Sequence, residues 1–305
     1  MIFDTLFTPF TANGFMVHAL VAGLLVSVAC GIVGTFVVLR GLAFIGDALA
    51  HGVLPGVAIA MLLGLPGMVG AAAGGAVMIF GIGLVTRRSR LSSDTAIGLL
   101  FVGMLALGVA IVSRSGAFAG DLVRILFGEI LGVTGAEILA QLAALVLIAA
   151  VAVVCRRPFL LLCFDREQAD TSGFPARRYH GIMLSLVALT VVVSFRTVGT
   201  LLVFGMLLAP AATAALFSRR IGTMIAVACV TGAISVYAGL LLSYHANIAA
   251  GASITLVATG SFLTALLFRR PRRPRRAAGG QPSVELDPPS SVSGKSPSAR
   301  EGAPT

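Results

Sequence analysis

The chain has 305 residues, 57% of them hydrophobic and only 11% charged, with a mean hydropathy of +1.01, which excludes a soluble globular domain. Its net charge of +10 would suit nucleic acid in a soluble protein, but eight of the 22 basic residues fall from Arg269 onward, beside three acids. The other basic residues are almost all arginines at the ends of apolar runs, so no nucleic-acid surface is implied and lipid is the expected solvent. Backbone groups in hydrocarbon must pair internally, and long apolar runs without period-two alternation choose helices over a barrel. The expected fold class is all-α, a polytopic transmembrane helical bundle of about eight to nine spans.

In chain order, residues 1–16 form a short N-terminal segment with no basic region ahead of its apolar run, so a cleaved signal peptide is not expected. Windows of about 20 apolar residues then place helices near 17–39, 43–63, 67–86, 94–113, 136–155, 179–195, 197–217, 221–243 and 249–268. The pair around Arg196 reads equally as one interrupted unit. The stretch from Gly120 to Val133 reads as an extra amphipathic segment, with Asp121, Glu129 and Glu137 keeping an outer face wet. Small residues such as GAAAGG at 70–75 let helices approach closely and make residues 17–268 one compact transmembrane domain. Cys30, Cys155, Cys163 and Cys229 have no paired spacing and read as small packing residues. From Arg269 the composition turns basic and then rich in Pro, Ser and Gly, the mark of a disordered cytoplasmic tail over 269–305.

Starting outside, this count puts Arg40, Arg87, Arg88, Arg90, Arg156, Arg157, Arg166, Arg177, Arg178, Arg219, Arg220 and the C-terminal arginines on the cytoplasmic side. Only Arg114, Arg124 and Arg196 fall outside. The excess of positive charge inside supports an N-terminus outside, a C-terminus in the cytoplasm and an odd number of spans.

The second span carries FIGDALAHGVLPG, in which Asp47 and His51 stand four apart. At that spacing their side chains share one helix face, and a carboxylate and an imidazole can converge on one divalent cation of the zinc or manganese type. Eight residues into a span that starts at 43, His51 lies about 12 Å deep, close to the midplane where transporter sites sit. Gly46, Gly52, Pro55 and Gly56 predict a kinked or interrupted helix. The plainer alternative is that the two side chains only hold helices together. An intramembrane acid costs about 2.5–3.5 kcal/mol to insert, which favours function.

Other polar residues weigh less. His245, between the last two spans, is a candidate outer-side pathway residue, although loop histidines are more often simply solvated. His18 and His180 read as interfacial, and Phe44 beside the pair reads as packing. On the cytoplasmic side FDREQADTSGFP reads as a short amphipathic helix ended by Gly173 and Pro175, a segment with little share in the packed bundle. It is either a solvated connector or a helix that enters a cleft on a motor subunit.

Three stretches in order, FIGDALAHGVLPGVAIA, FDREQADTSGFP and FRTVGTLLVFGMLLAPAATAALFS, resemble the membrane subunits of ABC importers for zinc and manganese, over residues 17 to about 268. The resemblance implies that Asp47 and His51 are metal ligands of the translocation path and that Asp165 to Gly173 is the helix coupled to the ATPase. Within it Asp165, Arg166, Glu167, Ala169 and Gly173 match the pattern of acidic and small residues, while Thr171 and Ser172 stand where larger apolar residues are common. It further implies a permease homodimer in the bacterial cytoplasmic membrane, a separate cytoplasmic ABC ATPase, an extracytoplasmic metal-binding protein, and transported Zn²⁺ or Mn²⁺, or iron, with no permanently bound cofactor. The residues agree on one point: the chain lacks GxxxxGK[ST], so ATP hydrolysis is expected elsewhere and the chain is not itself an enzyme.

Two rival readings follow from the same residues. An ion-gradient-driven secondary transporter would use Asp47 and His51 as a proton relay, but Asp47 is nearly alone in the spans and no inverted repeat is evident. An intramembrane metalloenzyme lacks both HExxH and a second buried acid to act as general base.

Overall fold

The computed structural model describes residues 14–89, 92–114, 128–164 and 166–268. The helices are α1 (Gly14–Leu39), α2 (Phe44–Gly52), α3 (Leu54–Leu62), α4 (Gly67–Arg88), α5 (Ser93–Ser113), α6 (Gly135–Val154), α7 (Arg156–Phe164), α8 (Arg166–Thr171), α9 (Ala176–Phe217), α10 (Ile221–Ala246) and α11 (Ala250–Phe268), with a 3-10 turn at Ile130–Gly132. Among the described residues nine helical stretches are long and apolar enough to cross a membrane, α2 and α3 counting together and α9 supplying two. The expected tail from Arg269, Asp121, and most of the amphipathic segment from Gly120 lie outside the described residues.

Helix ends follow from local chemistry. Gly41, Gly64 and Gly173 have φ of 68°, 68° and 84°. Each is the left-handed residue of the same turn, closed by paired bonds such as Leu42 N–H to the Val37 carbonyl and Gly41 N–H to that of Val38, both 3.1 Å. At α5 the Ser92 hydroxyl accepts from Thr95 N–H at 3.2 Å. At α6 the Thr134 side chain accepts from Glu137 N–H, and the Glu137 carboxylate takes the Thr134 N–H at 3.0 Å. Glu137 therefore has a specific role that differs from the expected one of wetting the outer face: it closes a capping box.

The interrupted unit around Arg196 resolves into two spans. His180 lies against Arg40 at the end of α1, while Leu207 and Ala211 lie against Gly34, earlier on the same helix. A straight helix would separate His180 from Ala211 by about 46 Å, against about 9 Å between Gly34 and Arg40. The chain must turn back, and it does so at Gly199, with φ 75° and ψ 164° inside α9. Gly128 backs directly onto this reversal, since a β-carbon there would strike the backbone of Val198 and Gly199.

The core lies where α1 meets α9 and α10. Val33, Phe36, Val37, Val203, Leu207 and Val236 are all at most 2% exposed. The segment between spans five and six is tied to this core more firmly than the sequence implies. The helix leading into it, α7, was not anticipated: the arginines at 156 and 157 read as the end of a span. It sets the fully buried Phe159 edge-on against Phe36 of α1, with ring centroids 5.3 Å apart. Leu162, Ala169 and Ala176 then form a small buried cluster with Tyr179. The segment thus shares in the packing, contrary to expectation.

Candidate metal path

Helix α2 is buried except along one line. Ile45, Ala48, Leu49 and Ala50 are at most 2% exposed, whereas Phe44 is 71% exposed, and Asp47 and His51 retain 33% and 20% side-chain exposure. Phe44 therefore does not pack as expected; as the first residue of the helix it continues the accessible stripe that Asp47 and His51 share.

The pair meets as the i, i+4 spacing requires. His51 Nε2 lies 3.4 Å from Asp47 Oδ1. The other ring nitrogen, Nδ1, is buried and has no hydrogen-bond partner, while the ring edge packs on Phe101 of α5 at 5.6 Å between centroids. The helix is interrupted two residues further on: Val53, itself in helical φ/ψ, links α2 to α3, and Pro55 lies in the first turn of α3. Proline has no N–H to give to the His51 carbonyl, which takes the Val53 N–H in place of its usual helical donor. Gly74 admits this unit closely, since a β-carbon there would stand 2.9 Å from the Cα of Val53.

The other candidates are placed as follows. His245 is exposed near the end of α10 and donates from Nδ1 to the carbonyl of Leu241 at 2.9 Å. It does not join the pair: among the described residues no three His, Cys, Asp or Glu side chains form a metal-binding group. In the segment between spans five and six, Arg166 and Glu167 lie on α8, Ala169 is buried at 1% exposure, and Gly173 makes the terminal turn, while Asp165 lies outside the described residues.

Three polar links escaped the sequence reading. The Asp170 carboxylate accepts from Ala176 N–H at 2.7 Å, fixing α8 to the start of α9. Arg40 reaches His180 at 3.2 Å, with Cys163 beside it; burial pushes the Cys163 thiol up to about 11, and Arg40 pulls it the other way. Gln141, 4% exposed, donates to the Thr197 hydroxyl at 2.6 Å. Only Asp170 left a signal, a carboxylate three residues before a turn glycine.

An apolar bundle of nine candidate spans among the described residues defines a polytopic membrane protein, and its accessible carboxylate–imidazole pair suits transport. The model of the ABC 3 transport family matches residues 12–269, and the chain belongs to this family. It is similar to the manganese transport system membrane protein MntC of Halalkalibacterium halodurans, 37% identical over 262 residues that cover 86% of this chain and 90% of the relative. It is also similar to the chelated iron transport system membrane protein YfeD of Yersinia pestis, 35% identical over 280 residues, covering 91% and 94%. Among solved structures, PsaBC from Streptococcus pneumoniae in complex with Fab matches with a TM-score of 0.77 and 34% identity, covering 87% of this chain and 95% of that one. An inward-facing putative metal-chelate type ABC transporter shares the fold, with a TM-score of 0.70 at 14% identity. The chain is thus a multi-pass permease subunit of an ABC importer, which sets aside the ion-gradient carrier.

Proposed function

We propose that Asp47 and His51 form half of the cation path of a metal importer and that a second copy of the chain supplies the other half. The cargo is a divalent transition metal. A carboxylate and an imidazole suit manganese, iron or zinc, and the relatives named for manganese and chelated iron put those two metals first. The metal is cargo, not a resident cofactor.

The observation that carries this reading is the 3.4 Å pair on the one accessible stripe of an otherwise buried helix. Lipid is a poor cover for an acid, so the stripe calls for a protein face or a water-filled path. One protomer offers two side-chain donors, whereas zinc takes four ligands and manganese favours six. Two copies brought together at α2 offer four, with water completing the shell.

The rest of the importer follows from charge and packing. The arginine distribution supports an N-terminus outside and a C-terminus in the cytoplasm. That puts the segment from Asp165 to Gly173 inside, where it serves as the contact for a separate ABC ATPase, with Arg166 and Glu167 as charged groups and Ala169 and Gly173 holding its shape. An extracytoplasmic metal-binding protein delivers the cargo on the opposite face, and His245 lies near its entry.

The test is metal uptake by Asp47→Ala, His51→Ala and the double variant, co-expressed with the ATPase and the binding protein. Each single variant should lose transport sharply while ATPase association persists. Groups that share one ion should couple, so the double variant should be little worse than either single one. Near-normal manganese uptake by a well-expressed double variant would overturn the reading, and competing cations in the same assay rank the cargo.

A further inference from the structure

We propose that Arg40 and His180 form a strut that passes movement of the ATPase contact segment to the helix bearing Asp47 and His51. The proposal rests on the reading of that segment as the ATPase contact.

The chemistry of the contact fixes its direction. Arg40 Nη1 stands 3.2 Å from His180 Nδ1, and a guanidinium has only donors, so Nδ1 accepts and the imidazole proton sits on Nε2. This is a charge-assisted hydrogen bond between residues 140 apart in sequence.

Each end of the bond is attached to a stiff element. On one side the Asp170 carboxylate holds Ala176 N–H at 2.7 Å, and Phe174 stacks edge-on with Tyr179 at 5.7 Å. These contacts make α8 and the first turns of α9, where His180 lies, move as one piece. On the other side Arg40 caps α1 and leads into the turn of Gly41 and Leu42. Leu42 is 7% exposed, and its carbonyl takes Ile45 N–H at 3.1 Å. Only Gly41, Leu42 and Ala43 separate Arg40 from α2, and the bonded turn leaves no slack to absorb a displacement. The packing of Phe159 on Phe36 joins the segment to the body of α1, whereas the Arg40 bond joins it to the turn that positions the metal pair.

The experiment uses the full chain assembled with its ATPase and binding protein in vesicles, and measures Mn²⁺ imported per ATP hydrolysed. His180→Leu and Arg40→Gln remove the acceptor and the charged donor, and the ratio should fall about tenfold while hydrolysis continues. His180→Gln keeps an acceptor oxygen and should stay within about threefold of wild type. An unchanged ratio in His180→Leu, or an equal fall in His180→Gln, overturns the strut. Loss of ATPase co-purification in the His180 and Arg40 variants also overturns it, since the bond would then serve docking alone. A wild-type chain that fails to retain the ATPase defeats the docking reading itself, a result distinct from both.

Discussion

At the scale of single residues, the buried polar groups separate those with partners from those without. Gln141 donates to Thr197, whose hydroxyl in turn donates to the Ser194 carbonyl at 3.1 Å, but the Gln141 Oε1 is buried with no partner. Replacing Gln141 with Leu removes that orphan oxygen along with the donor, so the stability change should stay within about 1 kcal/mol. Replacing Thr197 with Val strips the amide of its acceptor while leaving it buried, which should cost about 1–3 kcal/mol. Thermal unfolding of the two variants in detergent checks the order, and equal losses would count against it. The proximity of Asp47 and His51 was legible in the sequence because both lie on one helix, where spacing alone sets it. Arg40 with His180, and Gln141 with Thr197, were not legible: apolar periodicity marks a span but says nothing about which spans are neighbours when nearly every face is apolar.

At the scale of elements, the spans were legible to within a few residues, as at α11, expected over 249–268 and found as Ala250–Phe268. Bilayer thickness sets their length, so composition alone reveals them. The elements outside the bilayer follow local capping instead, and there α7 went unseen and the 166–175 segment looked looser than it is. Asp170 gives a test. Asp170→Ala removes the acceptor that fixes α9 to α8, a loss of about 1 kcal/mol in a comparable helix cap. The bundle should still form, because α9 is held along its length by α1, but the segment should lose its set orientation. Co-purified ATPase should fall while the thermal midpoint moves little; retention equal to wild type would show that the orientation is not read by the partner.

For the whole molecule, the odd count of nine candidate spans among the described residues predicts that Gly14 and Phe268 stand on opposite sides of the membrane. A fluorescent protein fused after Phe268 should fold and fluoresce in the cytoplasm, and a thiol reagent added from outside should label Gly64→Cys and Asn247→Cys, which stand at the turns after α3 and α10. Labelling of Gly41→Cys from outside would invert the whole arrangement. The reversal at Gly199 sets a further constraint, on helical phase. Spans six and seven meet with no loop between them, so an extra residue between Phe195 and Gly199 has no slack to enter. It would turn the descending helix by about 100° and shift it about 1.5 Å along its axis, presenting Leu207 and Ala211 to Gly34 out of phase.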